Sequence, residues 1–89
     1  VSGLMMKYYS EARKMDKFNL GIVGWGPIGR HHFKLFTDLY GDKIEKIFLY
    51  DIRPIINVDE IDFPDKKKII ITDNWEDAYK NSNVFIGYM

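Results

Sequence analysis

The 89-residue chain contains no cysteine, only three prolines and no net charge, since thirteen lysines and arginines cancel thirteen aspartates and glutamates. Without cysteine there is neither a disulfide framework nor thiolate chemistry, which suits a reducing compartment and makes a cytoplasmic protein the expectation. Balanced charge points away from nucleic acid or an anionic membrane as a general partner, so any phosphate recognition has to be local. Long apolar runs are missing as well. None approaches the roughly 20 residues of a membrane span, and no signal-peptide pattern opens the chain. Two histidines with no metal-ligand spacing leave no metal site. Nowhere does a nucleophile stand with a base, or one carboxylate with another, in a pattern that performs a reaction, so no catalytic residue is assigned.

What is present is concentrated in Asn19–Arg30 (NLGIVGWGPIGR), where an apolar strand runs straight into a glycine triplet, Gly24, Gly26 and Gly29, that opens a helix. That order of parts makes a dinucleotide site. The first glycine lets the strand turn sharply, the second lets the backbone approach a pyrophosphate with no Cβ in the way, and the third lets helix and strand pack closely. A helix N-terminus supplies unpaired N–H groups and a positive dipole end for the phosphates. Pro27 fits the first helical turn, because it loses a hydrogen bond that the helix could not make there. Such a glycine pattern is weak evidence alone, so its flanks matter. Residues 46–51 (KIFLYD) read as a second apolar strand ending in Asp51, 22 residues after Gly29. This is close to the roughly 20 expected of a ribose-binding carboxylate. The unit 19–51 therefore reads as one βαβ crossover. Arg53 complicates the cofactor: Asp51 hydrogen-bonds a ribose 2′-hydroxyl and repels a 2′-phosphate, whereas a nearby arginine accommodates that phosphate. NAD is the expected cofactor, with NADP as the alternative.

Around that unit, Leu4, Met5, Tyr8, Tyr9, Ala12 and Met15 recur at helical spacing with Ser2 placed to cap, which predicts a leading helix over residues 3–15. After the glycine turn, Ile28, His32, Leu35, Phe36 and Leu39 predict the buried face of a second helix, and Gly41 stands where a left-handed C-cap is wanted. Residues 52–67 read as a short turn of helix after Pro54 followed by loop, because Pro64 and an acidic cluster break anything longer. Residues 68–72 (KIIIT) read as a parallel strand covered on both faces. A third helix is predicted over 74–81, with Asp73 and Glu76 in capping-box spacing, and a last strand over 84–89. This order predicts an α/β fold: one mononucleotide-binding half of a Rossmann-type, doubly wound parallel sheet, with strands in the order 3-2-1-4 when numbered along the chain. All of residues 1–89 belong to that single nucleotide-binding domain. The first residue is not an initiator and the last strand runs to the final residue, so the expectation is a piece of a larger two-domain protein.

Three other groups invite chemical readings. His31 and His32 follow the glycine turn, where they pack or lend a donor near the pyrophosphate. Arg30 either reaches phosphate or is a solvated surface side chain. The run of Lys66, Lys67 and Lys68 is most simply a solvated lead-in to a strand.

With these residues placed, the sequence resembles the ornithine cyclodeaminase/μ-crystallin family, and within it the branch that makes 2,3-diaminopropionate by oxidising an amino-acid conjugate. The resemblance covers residues 1–9 (VSGLMMKYY), 20–29 (LGIVGWGPIG), 44–51 (IEKIFLYD) and 73–78 (DNWEDA) running to the strand at 84–86. The leading helix, which looks like the family's helix running into the nucleotide domain, and the short Ile44 to Lys46 lead-in do most of the choosing. It implies that Gly24, Gly26, Pro27, Ile28, Gly29 and Asp51 hold a nicotinamide cofactor. It further implies an intact homodimeric enzyme that oxidises an amine carbon of an amino acid to an imine, with catalytic lysine and aspartate outside this segment. Two other readings keep the same residues. Gly24 to His32 also looks like the opening of sugar-type oxidoreductases, against which residues 1–15 count. A μ-crystallin-like protein would bind a dinucleotide or small ligand without turnover.

Overall fold

Four short runs of apolar residues become parallel strands, and the segments between them cover the two faces of the sheet they form. The computed structural model describes residues 4–7 and 9–88. Its strands are β1 (Leu4–Lys7), β2 (Phe18–Val23), β3 (Ile44–Tyr50), β4 (Ile69–Ile71) and β5 (Val84–Tyr88), and its helices are α1 (Pro27–Tyr40) and α2 (Trp75–Asn81). They form one sheet in the order β1-β5-β2-β3-β4, in which β5, β2, β3 and β4 are parallel and β1 is antiparallel. The parallel part is the expected 3-2-1-4 order of an α/β, Rossmann-like half-fold.

The period of two along the strands sorts the core into two layers. Leu20 and Ile22, Ile47 and Leu49, and Val84 and Ile86 face α1, where they pack with Trp25, Phe33, Phe36, Ile61 and Phe63. Val23, Phe48 and Phe85 face the other way onto Ala78 of α2. Gly21 lies beneath α2 in close contact: a Cβ there would stand 2.8 Å from the Ala78 carbonyl oxygen and 2.7 Å from the Ser82 hydroxyl.

Several expectations are corrected. The described residues between 3 and 15 do not form the expected helix. Residues 4–7 pair with β5, and Tyr9–Lys14 is a 3-10 helix that sets Ala12 in the core. The open edge of β5 offers this segment a row of backbone partners, and tertiary pairing outweighs a helical period. The expected Ser2 cap, and Tyr8 of the stripe, lie outside the described residues. The buried face of α1 is centred on Gly29, Phe33 and Phe36, while Ile28, Leu35 and Leu39 are 50%, 37% and 63% exposed. The close approach of Gly29 to β2 sets that rotation. Gly41 adopts right-handed helical angles (φ −50°, ψ −38°) and carries the chain into a 3-10 turn, Gly41–Lys43, instead of a left-handed cap.

After β3 the chain makes 3-10 turns at Val58–Glu60 and Lys66–Lys68, the second capped by the Asp65 side chain, with no α-helix between Pro54 and β4. The lysines of that turn are not simply solvated: Lys68 donates to the Ile44 carbonyl and Lys66 to that of Ile61. Strand β4 lies at the sheet edge, so Ile69 is buried while Ile70 and Ile71 are exposed, and it is not covered on both faces. Helix α2 is capped by Asn74, whose side chain accepts from the Asp77 amide at 2.8 Å, one residue later than the predicted Asp73 and Glu76 box. No helix among the described residues is long and apolar enough to cross a membrane.

Candidate functional site

The carboxyl ends of β2 and β3 are adjacent, with Val23 opposite Tyr50 in the parallel register. The residues that follow them, Gly24 and Asp51, therefore meet at one edge of the sheet. Gly24 turns the chain with φ 97°, a backbone region that favours glycine, and its amide donates to the Tyr50 carbonyl at 2.8 Å. The next amide, of Trp25, donates to Asp51 Oδ2 at 2.6 Å. The turn between β2 and α1 is thus tied to the end of β3 by two hydrogen bonds.

The three glycines stand in different surroundings. Gly29 lies directly over the turn, so that a Cβ on it would overlap the Gly24 carbonyl. Gly26 has φ −88° and ψ −165°, angles open to any residue, and a Cβ on it would meet nothing nearer than Arg53 Nη2 at 3.8 Å. The fold requires glycine at 24 and 29 and does not require it at 26. Helix α1 has no side-chain cap and no acidic residue in its first turn. Its first ladder bond runs from the Arg30 amide to the Gly26 carbonyl, so the amides before it close no α-helical bond and the positive dipole end is not offset.

These parts line a cleft of about 540 Å³ formed by Val23, Gly24, Gly26, Pro27, Ile28 and Gly29 on one side and by Tyr50, Asp51, Ile52, Arg53 and Trp75 on the other. Every residue expected to bind cofactor is on that wall. Sequence reasoning did not include Val23, Tyr50, Ile52 or Trp75, nor the Trp25 amide. The topology was the available signal, because residues just beyond the ends of parallel strands gather at one edge. Trp75 reaches it from the start of α2.

Asp51 is the most constrained group here. Its side chain is 3% exposed and accepts from the Arg53 amide (2.8 Å) and Arg53 Nε (3.1 Å) on Oδ1, and from the Trp25 amide and Arg53 Nη2 (3.2 Å) on Oδ2. Burial acts to raise its pKa, but the bonds from the Arg53 side chain and from the Arg53 and Trp25 amides, together with the guanidinium charge, outweigh this and bring it down to about 2. The Arg53 pKa is raised in turn by that bond and charge. Because the folded value lies below the unfolded one, the stabilisation is present above about pH 4 and is lost as pH falls toward 2. It amounts to about 2 kcal/mol. Urea melts between pH 2 and pH 5 should show Asp51→Asn losing less stability than the parent across that window. Parallel pH profiles would show that the carboxylate is not held in this way.

Arg30 is exposed, as the solvated-surface reading expects, but it is also tied to the turn. Its Nε donates to the Trp25 carbonyl at 3.1 Å and its guanidinium lies over the Trp25 ring, 5.8 Å from the centroid, beside a second crevice between α1 and residues 55–62. His31 is exposed, and the His32 ring lies 5.8 Å from it; partial burial first, and then the His31 charge, lower the His32 pKa. Neither histidine lines this cleft. No cluster of three metal-ligating side chains occurs among the described residues. Searches of family models, of curated proteins and of solved structures find no match to this chain.

Proposed function

We propose that the chain binds a nicotinamide dinucleotide, NAD in preference to NADP, as the cofactor-binding part of an oxidoreductase. The observation that carries this is Gly26. Its backbone angles need no glycine and a Cβ on it would make only ordinary contact with Arg53 Nη2, so the fold gives no reason for it. A pyrophosphate drawn against the backbone does, because a side chain there would fill the cradle.

The remaining residues fit the same ligand. The uncapped start of α1 offers amides and a positive dipole end to phosphate oxygens. Asp51, anchored by the Trp25 amide, is an acceptor for ribose hydroxyls. Val23, Ile28, Ile52 and Trp75 provide apolar walls that limit water around the bound molecule. When bound, the nicotinamide supplies hydride acceptance or donation. The chain's own part is to hold and orient.

The resemblance to ornithine cyclodeaminases makes an amino acid the proposed substrate of the intact protein, by oxidation of an amine carbon. The β2-α1-β3 unit supports the nucleotide part of the reading. The leading segment lends the family less weight than its sequence suggested, since Leu4–Lys7 is strand and Tyr9–Lys14 is 3-10 helix. Calorimetric titration with NAD and NADP tests the proposal, with Asp51→Ser as the informative variant. The substitution removes a charge-assisted ribose bond and a repulsion against 2′-phosphate, so NAD should bind about tenfold more weakly while NADP gains relative to it. An unaltered ratio of the two affinities would place Asp51 away from the ribose.

A further inference from the structure

Resting on the dinucleotide reading above, we propose that Arg53 is an internal competitor for the ribose position, so that a 2′,3′-diol is accepted only when its guanidinium leaves Asp51. An ionised carboxylate has about four lone-pair positions. All four are taken: Oδ1 by the Arg53 amide and Nε, Oδ2 by the Trp25 amide and Arg53 Nη2. The two amide bonds belong to the backbone of the turn and of the β3 exit. The two guanidinium bonds come from a side chain that is 61% exposed, and they are the pair that can be given up. Asp51 lines the cleft and yet is 3% exposed, so a ligand cannot simply add to it.

The chemistry of exchange then depends on the ligand. A ribose diol brings two O–H donors, which replace the two guanidinium N–H donors one for one but without their positive charge, so the exchange runs uphill by the difference. The released guanidinium stays near the glycine turn, since Nη2 already stands 3.8 Å from where a Cβ on Gly26 would be. A 2′-phosphate in that space takes up the freed N–H donors and the charge, whereas a 2′-hydroxyl does not. Arg53 therefore acts in opposite directions on the two cofactors. It opposes NAD and supports NADP, while Asp51 keeps the absolute preference for NAD.

Titrating the 89-residue chain and its Arg53→Ala and Arg53→Lys variants with NAD and with NADP tests this. Arg53→Ala should bind NAD about two- to fivefold more tightly, the range of one exposed ion pair, and NADP at least that much more weakly. Arg53→Lys keeps the charge without the two-pronged geometry and should fall between. A general loosening of the turn would weaken both cofactors together, so the opposed shifts exclude a merely structural role. Unchanged or weaker NAD binding by Arg53→Ala overturns the competitor. If neither cofactor binds the parent or the variants, the dinucleotide reading fails and the competitor with it, an outcome recognisable because the parent itself gives no binding.

Discussion

Gly26→Val is expected to lower NAD affinity by more than about a hundredfold, roughly 3 kcal/mol of binding, while the folded state stays within about 1 kcal/mol of the parent. The two effects separate because of where the new side chain goes. The angles at Gly26 suit valine, and the nearest heavy atom to its Cβ is the movable end of Arg53 at 3.8 Å, so nothing in the core is displaced. The branched side chain instead fills the floor of the cleft between the uncapped end of α1 and Asp51. Calorimetry for affinity and urea denaturation for stability read the two quantities independently. Undiminished NAD binding by a folded Gly26→Val protein would remove the main support for a pyrophosphate at this turn.

Gly29→Ala should do the reverse, destabilising the fold by about 1–3 kcal/mol through overpacking. Its methyl would be driven into the Gly24 carbonyl, which is held on one side by the β2 turn at φ 97° and on the other by the Gly24 amide bond to Tyr50. Relief requires α1 to lift from β2, and that opens the layer formed by Trp25, Phe33, Phe36 and Ile22. A chain of this size shifts its melting temperature by roughly 4–8 °C for each kcal/mol. Thermal melts of the variant are therefore sensitive to the predicted loss. A melting temperature equal to the parent's would mean that helix and turn separate freely, and that the third glycine is not there for packing.

These two substitutions also mark how far the sequence was readable. The glycine triplet, Pro27 and the acid at 51 announced the β2-α1-β3 unit because each local requirement is chemical and short in range: a sharp turn, a missing N–H, an absent Cβ, a carboxylate one strand later. Short apolar runs at 19–23, 46–51 and 84–89 announced the strands found at Phe18–Val23, Ile44–Tyr50 and Val84–Tyr88, and their parallel order followed from the helical segments between them. The stripe of Leu4, Met5, Tyr9 and Ala12 was not readable in the same way. Its spacing suits a helix, but residues 4–7 pair with the free edge of β5, a partner more than seventy residues away in sequence. Similarly, the face of α1 that is buried depends on how closely Gly29 approaches β2, which hydrophobic spacing alone misjudged by assigning Ile28, Leu35 and Leu39 to the core.

By itself the sequence determined the element types of the β2-α1-β3 unit, the carboxylate and glycines that form its edge, and the absence of cysteine, because those are matters of residue identity and local geometry. Only the tertiary structure decided which glycine serves the fold and which could carry a Cβ without a clash, that Asp51 has all its acceptor positions filled by Trp25 and Arg53, and that Trp75 closes the cleft from α2. These depend on the relative placement of atoms from strands and turns distant along the chain, and the pairing of β2 with β3 and β5 is what brings them together.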